Sequence, residues 1–482
     1  MQFNSYIFIL AYLPILIIGY FLLNKVSMHI GKVYLIAGSV FFYIYGGLDM
    51  ALVFGLSIIT NFTMSQLLNK LVKARKPIFI LAVIANAGLL FYYKYNNFFI
   101  ENVNSAFKTD FRMNSIILPL GISFFTFQQI AYVASVYKNE IGNINIIDYL
   151  AYITYFPKLL MGPLIEPTDF MAQLNDSRLK AVNWDNIANG IKLFSFGLFK
   201  KMLLADTFSG AVSWGYTYID SATSMDWILI MLFYTFQIYF DFSGYTDMAV
   251  GVSHMLNIEL PMNFNSPYKA LSIRDFWKRW HITLTAFLTK YIYIPLGGNR
   301  KGRIRTYINT FIVFLVSGIW HGANWTFVLW GILHGLLSIL DRIFDQFSKR
   351  LIEPVRWMGN FLAINLLWLL FRSESITQWC QIMYRILTFQ DTSISEGLIN
   401  SFDLPETDFI NTALHMGTIH SCVRGLWMLL FIVTSSFVCL VPENNYKRRT
   451  KNNAFYMFLA AIAFVWGFLC LSSESVFVYF YF

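Results

Sequence analysis

Charge is scarce in this chain: Asp, Glu, Lys and Arg make up 13% of its 482 residues, 57% are hydrophobic, and the mean hydropathy is +0.53. Soluble globular domains carry about a quarter charged residues, so that class is excluded and a polytopic membrane protein is expected. Cysteine is scarcer still. Cys380, Cys422, Cys439 and Cys470 show neither a CxxC pair nor any other ligand spacing, so no metal site is expected. Cys380 and Cys422 fall in one expected external loop, where a disulfide and two inert thiols both stand as readings. A basic n-region is missing too: MQFNSY has no Lys or Arg and no small-residue cleavage site follows, so the first apolar run is expected to be a mature span. Internal repeats, low-complexity tracts and stretches of soluble-domain composition are also missing. The simplest organisation is one membrane domain over 1–482.

Long apolar runs are what the chain does have. Candidate spans read at 6–23, 33–48, 50–62, 78–93, 115–137, 148–165, 190–205, 226–240, 308–330, 331–345, 357–371, 424–441 and 453–472. Crossing a ~30 Å core takes about 20 residues, so the shorter runs predict broken, tilted or re-entrant pieces. The expectation is an all-α bundle of roughly 11–13 helices. The net charge of +9 is no nucleic-acid footprint, because the basic residues cluster in short loops between the spans. Lys25 and Lys32, the 70–76 cluster, the stretch from Lys269 to Arg305, Lys349 to Arg356 and Lys447 to Lys451 all read as cytoplasmic. Both termini are then expected outside. The more acidic 372–423 is expected to be an external loop, and 473–482 an external aromatic tail.

Three places depart from plain spanning sequence. In SGIWHGANWTFVLW, His321 lies 13 residues past Ile308, about 20 Å into the core at 1.5 Å per residue. A titratable ring at that depth faces a protein-lined or wet cavity, or else serves as packing glue. Trp320 and Trp325 are expected as its walls, Asn324 as a nearby amide, and Gly318 and Gly322 as points of close approach. His334, in WGILHGLL, reads as packing. The preceding stretch 265–305 mixes nine Lys and Arg with Trp277, Trp280, Tyr291 and Tyr293. It is an interfacial segment that either holds anionic lipid or forms a cationic mouth for a phosphorylated donor. The third place, QIYFDFSGYTDMAVG, sets Asp241, Asp247, Ser243 and Tyr245 beside an apolar run. There Gly244 is expected to mark a break or close approach, and the carboxylates to cap the segment after it.

Seven blocks in order carry a resemblance: LPLGISFFTFQQIAYVASVYK, YFPKLLMGPLIEP, GLFKKMLLAD, IYFDFSGYTDMAVG, FWKRWHITLTAFLTKYIYIPLGGNRKG, SGIWHGANWTFVLWGILHG and WLLFRSES. The chain resembles the membrane-bound O-acyltransferases and, within them, the bacterial alginate and peptidoglycan O-acetyltransferase membrane subunits. The resemblance implies a ring of helices with re-entrant segments and a thinned centre, reached by a cytoplasmic and an external funnel. His321 matches the family's deep histidine and His281 its second one. An acetyl thioester such as acetyl-CoA would be the co-substrate, with no bound cofactor. Its phosphates would be held near Lys278, Arg279, Arg300, Lys301 and Arg303, with Trp277 beside them. His321 would be the general base, a neutral imidazole out of water being suited to that. Asn324 is a candidate oxyanion donor, with Asp241, Ser243 and Tyr245 further along the pocket. The ending FVYFYF resembles an aromatic tail motif of this branch, which implies Tyr479, or its neighbour Tyr481, as an acyl relay to a separate extracytoplasmic acetyltransferase. The implied setting is a bacterial cytoplasmic membrane, with lipid and a polysaccharide synthesis and export machinery as partners.

Two other classes of function stand beside this one. One is D-alanyl transfer to teichoic acid from a carrier protein. The other is a transporter or flippase using His321, Asp241 and Asp247 as a proton relay, which the lack of an inverted repeat disfavours. The acceptor glycan cannot be read from the residues.

Overall fold

The computed structural model describes residues 1–142, 145–404, 420–451, 453–472 and 477. Every regular element among the described residues is helical. Seven helical stretches are long and apolar enough to cross a membrane: Phe8–Val26, Leu48–Lys70, Val72–Phe107, Ser224–Met255, Trp325–Ile343, Glu353–Arg372 and Val423–Leu440. Met28–Ile44 and Ala454–Leu469 are apolar but shorter. The chain is thus an all-α, multi-pass membrane protein.

Its axis is the 32-residue helix Ser224–Met255. Thr223 starts it with a reciprocal capping box to Asp226, satisfying two of the amides that a helix start leaves bare. From there it runs through residues 237–251 without a break, where the sequence predicts a span ending at 240. The carboxylates are not caps. Asp241 pairs with Lys201 at 2.7 Å and Asp247 with Lys200 at 2.7 Å, and neutralised carboxylates can stay inside a continuous buried helix. Both lysines open a π-turn, Lys200–Ala205, that follows helix Trp184–Phe199. Gly244 and Gly251 let these two helices touch. A Cβ on Gly197 would lie 2.6 Å from the Gly244 carbonyl oxygen, and one on Gly190 2.5 Å from that of Gly251. Glycines seven apart on both partners make one close seam.

Two more expectations change. Residues 308–330 do not form one span: helix Gly302–His321 ends at the histidine, and a second helix starts at Trp325 with Asn324 as its N-cap. The two then fold back against each other, Gly318 on Gly331, where a Cβ on Gly318 would meet the Phe327 carbonyl at 2.4 Å. The expected external loop is also partly ordered into helix, Ile376–Thr388 and Glu396–Asn400, and helix His420–Leu440 begins inside it. Cys422 contributes no described side chain, so its pairing with Cys380 lies outside the described residues.

Charge separates the two ends of the axis. At the Met255 end, Arg449 pairs with Glu259, Lys32 with Asp148, Lys290 with Glu140 and Glu166, and Lys269 reaches the carbonyls of Val441 and Pro442. These contacts bring the basic segments at Lys32, Lys269–Lys290 and Arg449 to one face. At the Ser224 end, Asp226 binds Ser395, and Arg385 binds the carbonyls of Asp220 and Ala222. The helix between them rises about 46 Å.

Candidate active site

His321 is the last residue of its helix, about 28 Å along the axis from Gly302, and it is buried. Among the described residues, three aromatic rings pack around its imidazole: Trp320 at 4.9 Å, Trp330 at 5.2 Å and Phe371 at 5.1 Å between centroids. Trp325, expected as a wall, points away. It is exposed and donates its indole N–H to Asn102. The reason is the break at Gly322–Asn324, which resets the helical phase and brings Trp330 inward instead. Asn324 is a junction residue, its Oδ1 accepting from the Thr326 amide at 2.9 Å and its Nδ2 donating to the Glu374 carbonyl at 2.8 Å.

His281 reaches the same place from another direction. It stands at the start of the short helix Ile282–Leu288 with φ +45°, a conformation that costs a non-glycine residue energy and persists where the surroundings enforce it. The enforcement is visible. Asn263 Oδ1 accepts from the Thr283 amide and hydroxyl and lies 3.1 Å from His281 Nδ1. Because the Thr283 N–H fixes that atom as the acceptor, the proton must lie on His281 Nδ1. Nε2 is left with its lone pair, buried and with no hydrogen-bond partner among the described residues. The ring packs on Phe242 at 4.7 Å and lies 6.3 Å from Trp320. Both histidines therefore contact one indole, Trp320, and form a single centre.

His334 belongs to the packing behind it. Trp277 donates its indole N–H to His334 Nδ1 at 3.2 Å, and Trp330 lies 4.5 Å away. Asp241, Ser243 and Tyr245 do not join the histidines. Ser243 faces Lys200 and Asp241 faces Lys201, while Tyr245 packs between the rings of Phe3 at 5.0 Å and Phe477 at 5.1 Å. Lys200 and Lys201, which the sequence reading passed over within GLFKKMLLAD, are thus the partners that explain both aspartates.

Of the expected donor-binding residues, Trp277 and Lys278 line a cavity of about 340 Å³, together with Arg274, Arg342, Tyr307 and Ser317. Ser317 is one turn before His321, so this cavity rises along the histidine's own helix. Arg279 faces elsewhere, bound to Asp275 at 2.8 Å. Arg300 and Lys301 on the adjoining loop, and Arg303 in the first turn of helix Gly302–His321, are exposed and do not line the cavity. A larger space of about 660 Å³ borders Thr283, Phe127 and Phe287, with Glu166, Asp169 and Glu259 around it. Tyr479 and Tyr481 lie outside the described residues. Phe477, in the same tail, is fully buried, with the Lys201 ammonium 4.5 Å from its ring centre.

The family model described as MBOAT, membrane-bound O-acyltransferase family, matches residues 135–373, a stretch that contains both histidines. Over its whole length the chain is 35% identical to a peptidoglycan O-acetyltransferase of Helicobacter pylori, covering 97% of that protein. It is 33% identical to a probable alginate O-acetylase of Pseudomonas aeruginosa, across 87% of this chain and 79% of that one. Similarity to a teichoic acid D-alanyltransferase of Bacillus subtilis is 26% and spans 49% of the chain and 62% of that protein. With its two buried histidines sharing one indole at the heart of an all-helical membrane bundle, the chain belongs to the membrane-bound O-acyltransferase family and is an acyltransferase.

Proposed function

We propose that the chain moves an acetyl group from a cytoplasmic thioester, acetyl-CoA, across the cytoplasmic membrane of a bacterium for O-acetylation of an exported or cell-surface glycan. The observation that carries this reading is the two-histidine centre. One imidazole is fixed as the tautomer with a bare Nε2, and the other sits at a helix end inside an aromatic box. An acyl transfer needs such a base: the acceptor hydroxyl gives its proton to imidazole, its oxygen bonds the acyl carbon, and the C–S bond breaks to release the CoA thiolate, which takes up a proton. His321 is the base and His281 its neighbour on the donor side. The donor enters on the face where the basic loops join, which the positive-inside pattern makes cytoplasmic. Lys278 and Arg342 meet its phosphates at the mouth of the 340 Å³ cavity.

Tyr479 is the proposed acyl relay to a separate extracytoplasmic acetyltransferase. The burial of Phe477, two residues before Tyr479, against Tyr245 and Lys201 supports this reading. The full-length resemblance to a peptidoglycan enzyme favours a cell-wall glycan as the acceptor. The test supplies radiolabelled acetyl-CoA to the cytoplasmic face of membrane vesicles. Label is expected on the C-terminal peptide and on glycan. It should be lost from both in His321→Ala, and from glycan in the double variant Tyr479→Phe, Tyr481→Phe. Transfer that persists in His321→Ala, or that requires a D-alanyl carrier protein, overturns the reading.

A further inference from the structure

A helix that ends at its reactive residue has a positioning problem. The last four carbonyls of an α-helix have no partner within it, and the last turn frays unless something holds them. For helix Gly302–His321 those carbonyls belong to residues 318–321, and the imidazole hangs from the last. Three of the four are held by two successive residues from a distant part of the chain. Lys94 Nζ donates to the Trp320 carbonyl at 2.6 Å and the His321 carbonyl at 3.0 Å. Tyr95 Oη donates to the Ile319 carbonyl at 2.8 Å.

The local backbone at these two neighbours is itself irregular. Lys94 and Tyr95 close a π-turn, Phe91–Tyr95, inside the span Val72–Phe107. A regular α-helix would turn successive side chains about 100° apart, and π-turns inside helices recur at functional sites. The ammonium group is also unusual in what it lacks. Among the described residues it has no carboxylate within ion-pair distance; its remaining polar contact is Ser123 Oγ at 3.4 Å. Its counter-charge is the negative end of the histidine helix.

We infer that Lys94, assisted by Tyr95, is the positioning residue that fixes His321 for catalysis by clamping the carbonyls of the helix's last turn. This rests on His321 acting as the base. The test uses the full chain in proteoliposomes, measuring kcat and KM for acetyl-CoA and, separately, hydrogen exchange of the amides of 318–324. In Lys94→Met, kcat should fall about tenfold or more while KM stays within about twofold, and the 318–324 amides should exchange about tenfold faster while those of Leu48–Lys70 do not change. Lys94→Arg, which keeps a cationic donor, should retain kcat to within about threefold of wild type. Unchanged exchange at 318–324 in Lys94→Met overturns the clamp, as does faster exchange with an unaltered kcat. Should Lys94→Met fail to accumulate, Tyr95→Phe carries the same measurements, with a smaller loss expected and the same outcomes decisive. If the wild type moves no acetyl from acetyl-CoA, the acyl-transfer reading fails by itself, and the exchange arm still decides the clamp.

Discussion

Replacing Asn263 with leucine removes the one acceptor shared by His281 Nδ1 and both donors of Thr283. The side-chain volume is kept while the tautomer and the left-handed backbone of His281 lose their support. Transfer should fall about tenfold or more with the protein still inserted, as read from turnover at equal membrane abundance. The proposed donor mouth offers a second comparison. Lys278→Gln with Arg342→Gln should raise KM for acetyl-CoA, and the wild-type KM should rise with salt, because charge pairing at an exposed mouth is screened. Arg300→Gln, Lys301→Gln and Arg303→Gln together should do less, since none of the three lines the cavity; the reverse order of effects would move the donor onto the loop. His321 was legible from the residues themselves, because a ring so deep in apolar sequence stands out by composition, whereas His281 was reached only through the family resemblance of its FWKRWHI block. Asn263 and Lys94 were reached by neither. Nothing local in PMNFNSPYK or FYYKYNNFF separates a site residue from an interfacial one, and each acts on a residue far away in the chain.

At the level of elements, burial of the Lys200–Asp247 pair sets a stability test. Side-chain exposure is 9% and 10%, and Asn445 also donates to Asp247 at 2.8 Å. Lys200→Met should destabilise the protein by roughly 3–5 kcal/mol by leaving the carboxylate without its cation, while adding Asp247→Leu should recover most of that. Thermal unfolding in detergent across the four proteins of this cycle reads the coupling; additive losses would remove the pair from the fold's support. The same pair explains why the sequence misjudged the central helix. Two carboxylates in an apolar run look like an ending when their partners lie some 40 residues earlier. The opposite error occurred at His321. Apolar residues continue through Gly322 to Asn324, so hydropathy shows one span, whereas the glycine followed by an amide N-cap was the signal for two. The seam glycines were legible only on one side, through Gly244, because a close contact is a property of two helices.

For the whole molecule, the charge asymmetry read from the loops reappears as a face, since the basic segments are tied together at the Met255 end of the axis. Single cysteines at 301 and 391, in a background lacking the four native ones, should then react from opposite sides. An impermeant maleimide added to intact cells should label the cysteine at 391 and not the one at 301, and the opposite pattern would invert the proposed orientation. The central helix carries a consequence for how the protein is made. Ser224–Met255 is mostly enclosed by protein, and two carboxylates within it are costly in lipid. Chain order supplies the remedy: Lys200 and Lys201 leave the ribosome before Asp241 and Asp247 do. Integration is then expected to be a two-helix event: with Lys200 and Lys201 replaced by methionine, Ser224–Met255 should enter the membrane poorly in an insertion assay, and unimpaired insertion would uncouple the two helices.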